Sequence, residues 1–306
     1  MPLLQRDTPY PHWQYEDPLS GDLLRVVPER GGLLSGWRCS GHELLYLDQA
    51  RFAEPALSVR GGIPVLFPIC GNLPGDRLPL PQGDFELKQH GFARDLPWQL
   101  APLEPAGGKG GGVELSLTDT AATLAAFPFR FHLQLAYRLE AAALAIKVRI
   151  ENCGDEPMPY SFGLHPYFNV SGLQAPGLAT AEAAGEEAAS GNALRLEGLP
   201  EHCFNHLTMA EEATAPQLQR LAVGVDLLAA PAGAVRLLDP AAGLALELQP
   251  TPPFDLAVIW TEPPRSMLCL EPWTAPRGAL VSGDRRLVVP AGGVQRLQCR
   301  YALRLL

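Results

Sequence analysis

From Phe131 to Glu151 the chain alternates apolar and polar residues with a period of two. Phe131, Leu133, Leu135, Tyr137 and Leu139 are apolar, with His132, Gln134, Ala136 and Arg138 between them. After Glu140-Ala141-Ala142-Ala143, the residues Leu144, Ile146, Val148 and Ile150 alternate with Ala145, Lys147, Arg149 and Glu151. That period lines up one face of a strand and scatters around a helix of 3.6 residues per turn. The alanine run alone would suit a helical turn, but the alternation on both sides outweighs it. The segment predicts two half-buried strands joined as an antiparallel hairpin.

The same pattern recurs to the end of the chain, at Val113–Leu117, 244–248, 256–260 and 297–303. Turn signals punctuate these runs: Gln82-Gly83-Asp84, Asp239-Pro240, Ser282-Gly283-Asp284 and Ala291-Gly292-Gly293. No alternation of strands with helical segments is visible, which argues against a parallel α/β sheet. The expectation is an all-β chain, a large antiparallel β-sandwich forming a single domain over residues 1–306. Two segments depart from the pattern. Pro105–Gly112 is a glycine-rich connection without the Lys-Ser/Thr ending of a phosphate loop. Residues 180–222, rich in Ala and Glu, read as an exposed loop with one short helix.

Composition narrows the function. A formal net charge of -9 argues against nucleic acid, which is held by clustered Lys and Arg. It leaves room for a local arginine-lined pocket for an anionic small molecule. No apolar run approaches the roughly 20 residues of a membrane helix, and the first residues carry no signal-peptide pattern. The six cysteines form no CxxC pair, so neither a disulfide framework nor a zinc knuckle is expected. A cytoplasmic, reduced protein follows as the expectation. His202-Cys203-x-x-His206 has a superficial ligand spacing without a matching second pair, and reads as a polar loop.

Three stretches are too particular to be generic strand and turn. The first is Arg60-Gly61-Gly62-Ile63-Pro64, continuing to Cys70-Gly71-Asn72 and followed by His90-Gly91-Phe92-Ala93-Arg94. The second is His165-Pro166-Tyr167-Phe168, and the third is Leu268-Cys269-Leu270-Glu271-Pro272-Trp273. In this order they resemble the galactose mutarotase-like aldose 1-epimerase family, in its branch that includes hexose-6-phosphate epimerases. The resemblance implies the galactose mutarotase-like supersandwich and interconversion of sugar anomers. It also implies that no cofactor or metal takes part.

By that resemblance, His165 protonates the ring oxygen and Glu271 takes the proton from the C1 hydroxyl. His90 binds the sugar, and Arg60 and Arg94 bind substrate, holding the phosphate where there is one. Asp226, in Gly224-Val225-Asp226-Leu227, matches the family's hydroxyl-binding aspartate. Apart from the resemblance, Arg277 lies shortly after Glu271 and would add positive charge. The Cys70-Gly71-Asn72-Leu73-Pro74 stretch departs from the hexose-phosphate pattern and leaves the sugar open. The expected partner is a small sugar or sugar phosphate, with the protein a monomer or weak dimer.

The residue types themselves suit the chemistry. Opening a cyclic hemiacetal needs a base at the C1 hydroxyl and an acid at the ring oxygen at one pH. A Glu carboxylate and a protonated His meet this, and a nearby carboxylate favours the imidazolium. Plainer readings stand beside each residue. His165 before Pro166 could be a loop residue, and Glu271 an exposed strand-end carboxylate. Arg60 could make a surface ion pair, and Arg94 one with Asp95. Gly61-Gly62 would let backbone approach a ligand, and most aromatics would be core. Two rival functions are a non-catalytic carbohydrate-binding protein on the same fold and a glycoside hydrolase using Glu271 with Asp226.

Overall fold

In the computed structural model, which describes residues 3–105, 110–171, 173 and 193–306, the alternating segment forms two ten-residue strands. Phe131–Glu140 and Ala143–Asn152 pair antiparallel from Phe131 opposite Asn152 to Glu140 opposite Ala143. Along Phe131–Glu140, buried and half-buried residues alternate without exception. The two strands lie within an eight-stranded antiparallel sheet. Its order is Arg195–Glu197, Val235–Asp239, Leu244–Pro250, Val294–Leu305, Ala143–Asn152, Phe131–Glu140, Gly112–Thr118 and Gln99–Leu103.

A second eight-stranded sheet carries the chemistry-bearing segments. Its order is Ala210–Ala213, His202–Asn205, Val225–Ala229, Leu256–Thr261, Met267–Trp273, Gly163–Leu164 and Val65–Leu66, with Tyr167–Asn169 also pairing with Met267–Trp273. The sheets meet through Tyr301, whose hydroxyl donates to the Leu270 carbonyl at 2.6 Å and whose ring lies 5.1 Å from that of Phe168. A five-stranded meander, from Leu4–Arg6 to His42–Glu43, adds Tyr15, Trp37 and their neighbours to one apolar cluster that reaches Leu303. The result is the expected all-β, antiparallel sandwich.

Every residue of Met267–Trp273 is buried, and the period of two divides its faces. Leu268 and Leu270 enter the main core, each contributing about 1.5–3 kcal/mol of burial. Met267, Cys269 and Trp273 enter two small clusters on the other face, where Glu271 also points. Glu271 is therefore a mid-sheet residue, not an exposed strand end.

The segment 180–222 departs from expectation. Residues 180–192 lie outside the described residues. The remainder forms strands Arg195–Glu197, His202–Asn205 and Ala210–Ala213 and one short helix, Thr214–Leu218. Four residues of the Pro105–Gly112 connection, 106–109, also lie outside the described residues. All six cysteines are free, and all but Cys153 are buried.

Candidate active site

Strand register explains why distant residues converge. Gly163 pairs with Trp273 and Tyr167 with Cys269, so counting inward from both ends sets His165 opposite Glu271. Pro166 has no N–H to give and interrupts the ladder there. On the other side, Val258 faces Glu271, and Trp260 lies between Cys269 and Asp226. One face of the sheet thus gathers the carboxylates, the imidazole and Trp260.

Arg60, His90, Arg94, His165, Asp226, Glu271 and Arg277 all line one cavity of about 280 Å³. Its remaining wall includes Tyr167, Trp260 and Trp273, together with Ser58 and Gln89. All six residues singled out for the site are brought together, with Arg277 beside them.

His165 Nδ1 stands 3.4 Å from Glu271 Oε1, and both atoms are buried without a hydrogen-bond partner. The other carboxylate oxygen, Oε2, accepts a hydrogen bond of 3.0 Å from the Trp273 indole. The His165 ring stacks on Tyr167 at 4.7 Å and meets Trp260 edge-on at 5.6 Å. These contacts fix both side chains and leave one polar atom of each open.

The charge states differ from the expected Glu⁻ and His⁺. Burial, followed by the charges of Arg94 and Arg60, lowers the pKa of His165 to about 3. Burial and the charge of Asp226 raise that of Glu271 well above the carboxylate range, against the Trp273 hydrogen bond and Arg277. Both shifts favour the neutral forms, which put the pair's shared proton on Glu271 rather than on His165. Burial first, then two arginines from elsewhere in the chain, works against the imidazolium that an adjacent carboxylate alone would favour.

His90 sits in the left-handed backbone region at φ 68°, which is strained for a residue with a Cβ. The turn is closed by His90 N–H donating to Gly71 O at 2.6 Å and Gly71 N–H donating to His90 Nδ1 at 3.1 Å. Nδ1 is thus an acceptor and the ring proton belongs to Nε2. Burial, then Arg94, lowers the pKa of His90 well below its ordinary value, making it a neutral donor. A Cβ at Gly71 (φ +67°) would fall 2.2 Å from Arg277 Cγ, so the departing Cys70-Gly71-Asn72 stretch makes room for that arginine.

Arg60 donates to Glu262 at 3.2 Å and lies 5.6 Å from the centre of the Trp260 ring. Arg94 donates to the Gln89 carbonyl at 2.9 Å. Among the described residues it makes no ion pair, with Asp95 or any other carboxylate. Gly61 and Gly62 serve the protein backbone and not a ligand: a Cβ there would meet Leu47 Cα or the Leu34 carbonyl at 2.5 Å.

Sequence reasoning missed His206. Its Nδ1 is 2.7 Å from Asp226 Oδ1, and Arg277 Nη2 donates to Asp226 Oδ2 at 2.7 Å. Burial alone would raise the pKa of Asp226, but the His206 hydrogen bond and Arg277 hold it below the usual value. An aspartate so held stays ionised and can accept a hydrogen bond from a ligand hydroxyl. Nothing in the sequence marks Trp273 as the support of Glu271. Among the described residues, His165, Cys269 and Glu271 form the group whose ligand atoms approach closely enough to hold a metal ion.

The profile of the family described as aldose 1-epimerase matches residues 21–284. A protein named "Putative glucose-6-phosphate 1-epimerase" from Cenchrus ciliaris is 31% identical over 153 residues, covering 47% of this chain and 43% of that protein. One of the same name from Escherichia coli (strain K12) is 30% identical over 146 residues, covering 47% and 44%. The matched stretch thus spans less than half the length of these curated relatives. Among solved structures, the Slr1438 protein from Synechocystis sp. PCC 6803 is 34% identical with a TM-score of 0.85, covering 100% of this chain and 99% of that one. A galactose mutarotase-like protein from Clostridium acetobutylicum shares the fold at 16% identity and a TM-score of 0.75, covering 97% and 96%.

Proposed function

Because the chain belongs to the aldose 1-epimerase family, we propose that it interconverts the α and β anomers of a hexose or hexose phosphate, with Glu271 as base and His165 as acid. The observation that carries this reading is the 3.4 Å approach of two open, buried atoms, Glu271 Oε1 and His165 Nδ1. The hydroxyl and ring oxygens of a hemiacetal are bonded to the same carbon. A base for one and an acid for the other must therefore be close neighbours.

Glu271 takes the C1 hydroxyl proton as His165 gives one to the ring oxygen, and the C1–O5 bond breaks to leave an open-chain aldehyde. Rotation about C1–C2 presents the other carbonyl face. Closure then runs with the two roles exchanged and restores the starting protonation. The pair needs one proton in total, and the shifts of both groups favour holding it on Glu271. Its transfer from Glu271 to His165 is eased when an anion offsets Arg94 and Arg60. That argument and the unpaired Arg94 favour a phosphorylated sugar. His90 donates from Nε2 to a sugar hydroxyl, and Asp226 and Arg277 complete the polar wall. A core running from Tyr15 to Leu303 supports one domain over 1–306.

Polarimetry with freshly dissolved α-glucose, α-galactose and α-glucose 6-phosphate tests the reading. Acceleration is expected, and Glu271→Gln or His165→Ala should lower it by about 10²-fold or more with the fold retained by circular dichroism. No acceleration with any sugar would favour a binding protein, and near-normal turnover in both variants would remove the mechanism.

A further inference from the structure

The acid–base pair has a third neighbour that sugar chemistry does not use. Cys269 precedes Glu271 by two residues and points to the same face of Met267–Trp273. The ligand atoms of His165, Cys269 and Glu271 all lie within 4.8 Å of one another. An independent observation also points to a ligand: Glu271, 1% exposed, leaves Oε1 unpartnered beside the equally unpartnered His165 Nδ1. Trp273 fixes the other carboxylate oxygen, as outer contacts do for metal-ligating side chains. Met267 Sδ lies 3.9 Å from Cys269 Sγ, adding a soft neighbour.

Imidazole, thiolate and carboxylate together are a donor set for zinc and similar ions, whereas Mg²⁺ and Ca²⁺ favour oxygen ligands alone. We propose that His165, Cys269 and Glu271 form a three-ligand site for a thiophilic divalent cation of the zinc type, and that its occupation shuts out the sugar. The cavity is lined by His165 and Glu271 and supplies the entry path on their side, with Cys269 fully buried beside them. Binding releases the Cys269 thiol proton and any proton on Glu271 to solvent, leaving sulfur and oxygen to bond the ion. Arg60 and Arg94 face the same cavity and oppose a cation, which makes this a reversible inhibitory site rather than a structural centre. Exclusion of the sugar rests on the function proposed above, whereas ion binding does not.

Metal-free full-length protein is titrated with Co²⁺, and thiolate-to-cobalt charge-transfer absorption in the near ultraviolet is recorded. Wild type should show the band, Zn²⁺ should remove it, and Cys269→Ala and Cys269→Ser should lack it while staying folded by circular dichroism. Anomer exchange is then followed at rising Zn²⁺, each protein relative to its own metal-free rate. Zn²⁺ should compete with sugar in wild type, the variants should need at least about tenfold more of it, and Mg²⁺ should have no effect. No thiolate band in wild type, or the same band in both variants, overturns the site. A protein inert toward every sugar that still gives the Cys269-dependent band would sink the function and keep the metal site.

Discussion

The Trp273 indole N–H donates to Glu271 Oε2 at 3.0 Å from two residues along the same strand face. One carboxylate oxygen is thereby committed and the other is aimed at His165. A hydrogen bond to a charged group contributes about 1.5–3 kcal/mol, and here it is strongest when Glu271 has given up its proton to serve as base. Trp273→Phe keeps the ring and removes the donor. It should lower kcat by about tenfold or more with KM little changed, as measured by progress curves over a range of sugar concentrations. An unchanged kcat would mean that packing alone orients the carboxylate.

The pH profile should depend on the sugar. Burial and Asp226 raise Glu271, while burial, Arg94 and Arg60 lower His165 to about 3. Exchange needs one proton on the pair. It falls as pH drops toward about 3, where both groups are protonated and no base remains, and falls again above the raised pKa of Glu271, where no acid remains. A phosphate beside Arg94 and Arg60 offsets their charge and makes His165 easier to protonate. The acid limb of log kcat should therefore lie at higher pH for glucose 6-phosphate than for glucose. Superimposable acid limbs would show that the phosphate does not sit there.

Arg94 should separate the two substrate classes. It is buried enough for its pKa to be lowered, and its single hydrogen bond goes to a carbonyl. Arg94→Met should cost about 10–100-fold in kcat/KM for the phosphorylated sugar, the worth of a charge-assisted contact, and much less for the free sugar. Equal losses for both would place Arg94 on the sugar ring instead.

Gly71→Ala tests how Arg277 is placed. The new Cβ would press on Arg277 Cγ at 2.2 Å, at a backbone φ of +67° that costs about 1–2 kcal/mol for a residue with a Cβ. A lower Tm and a raised KM are expected, because Arg277 must give up its contact with Asp226. A melting curve and a KM identical to wild type would show that the turn can absorb the methyl group.

The hairpin was legible because its residues alternate in burial as they alternate in polarity. The meander near the N-terminus was not. Leu23–Val27 and Leu33–Cys39 are covered on both faces, and a strand buried on both sides carries no period of two. His202–Asn205 and Ala210–Ala213 are too short and polar to stand out from a loop. Site membership was readable in motifs, whereas charge state was not, since it is set first by burial in the folded cavity and then by Arg94 and Arg60, far away in sequence. His206 gave no local signal, because its role is set by a partner 20 residues along the chain.

Met267–Trp273 is buried at every residue and paired on both edges, and it holds Glu271 near its middle. Amides in such a strand are expected to exchange with deuterium only when the entire molecule opens. Glu271 is therefore shielded from local breathing, and heat inactivation should coincide with global melting.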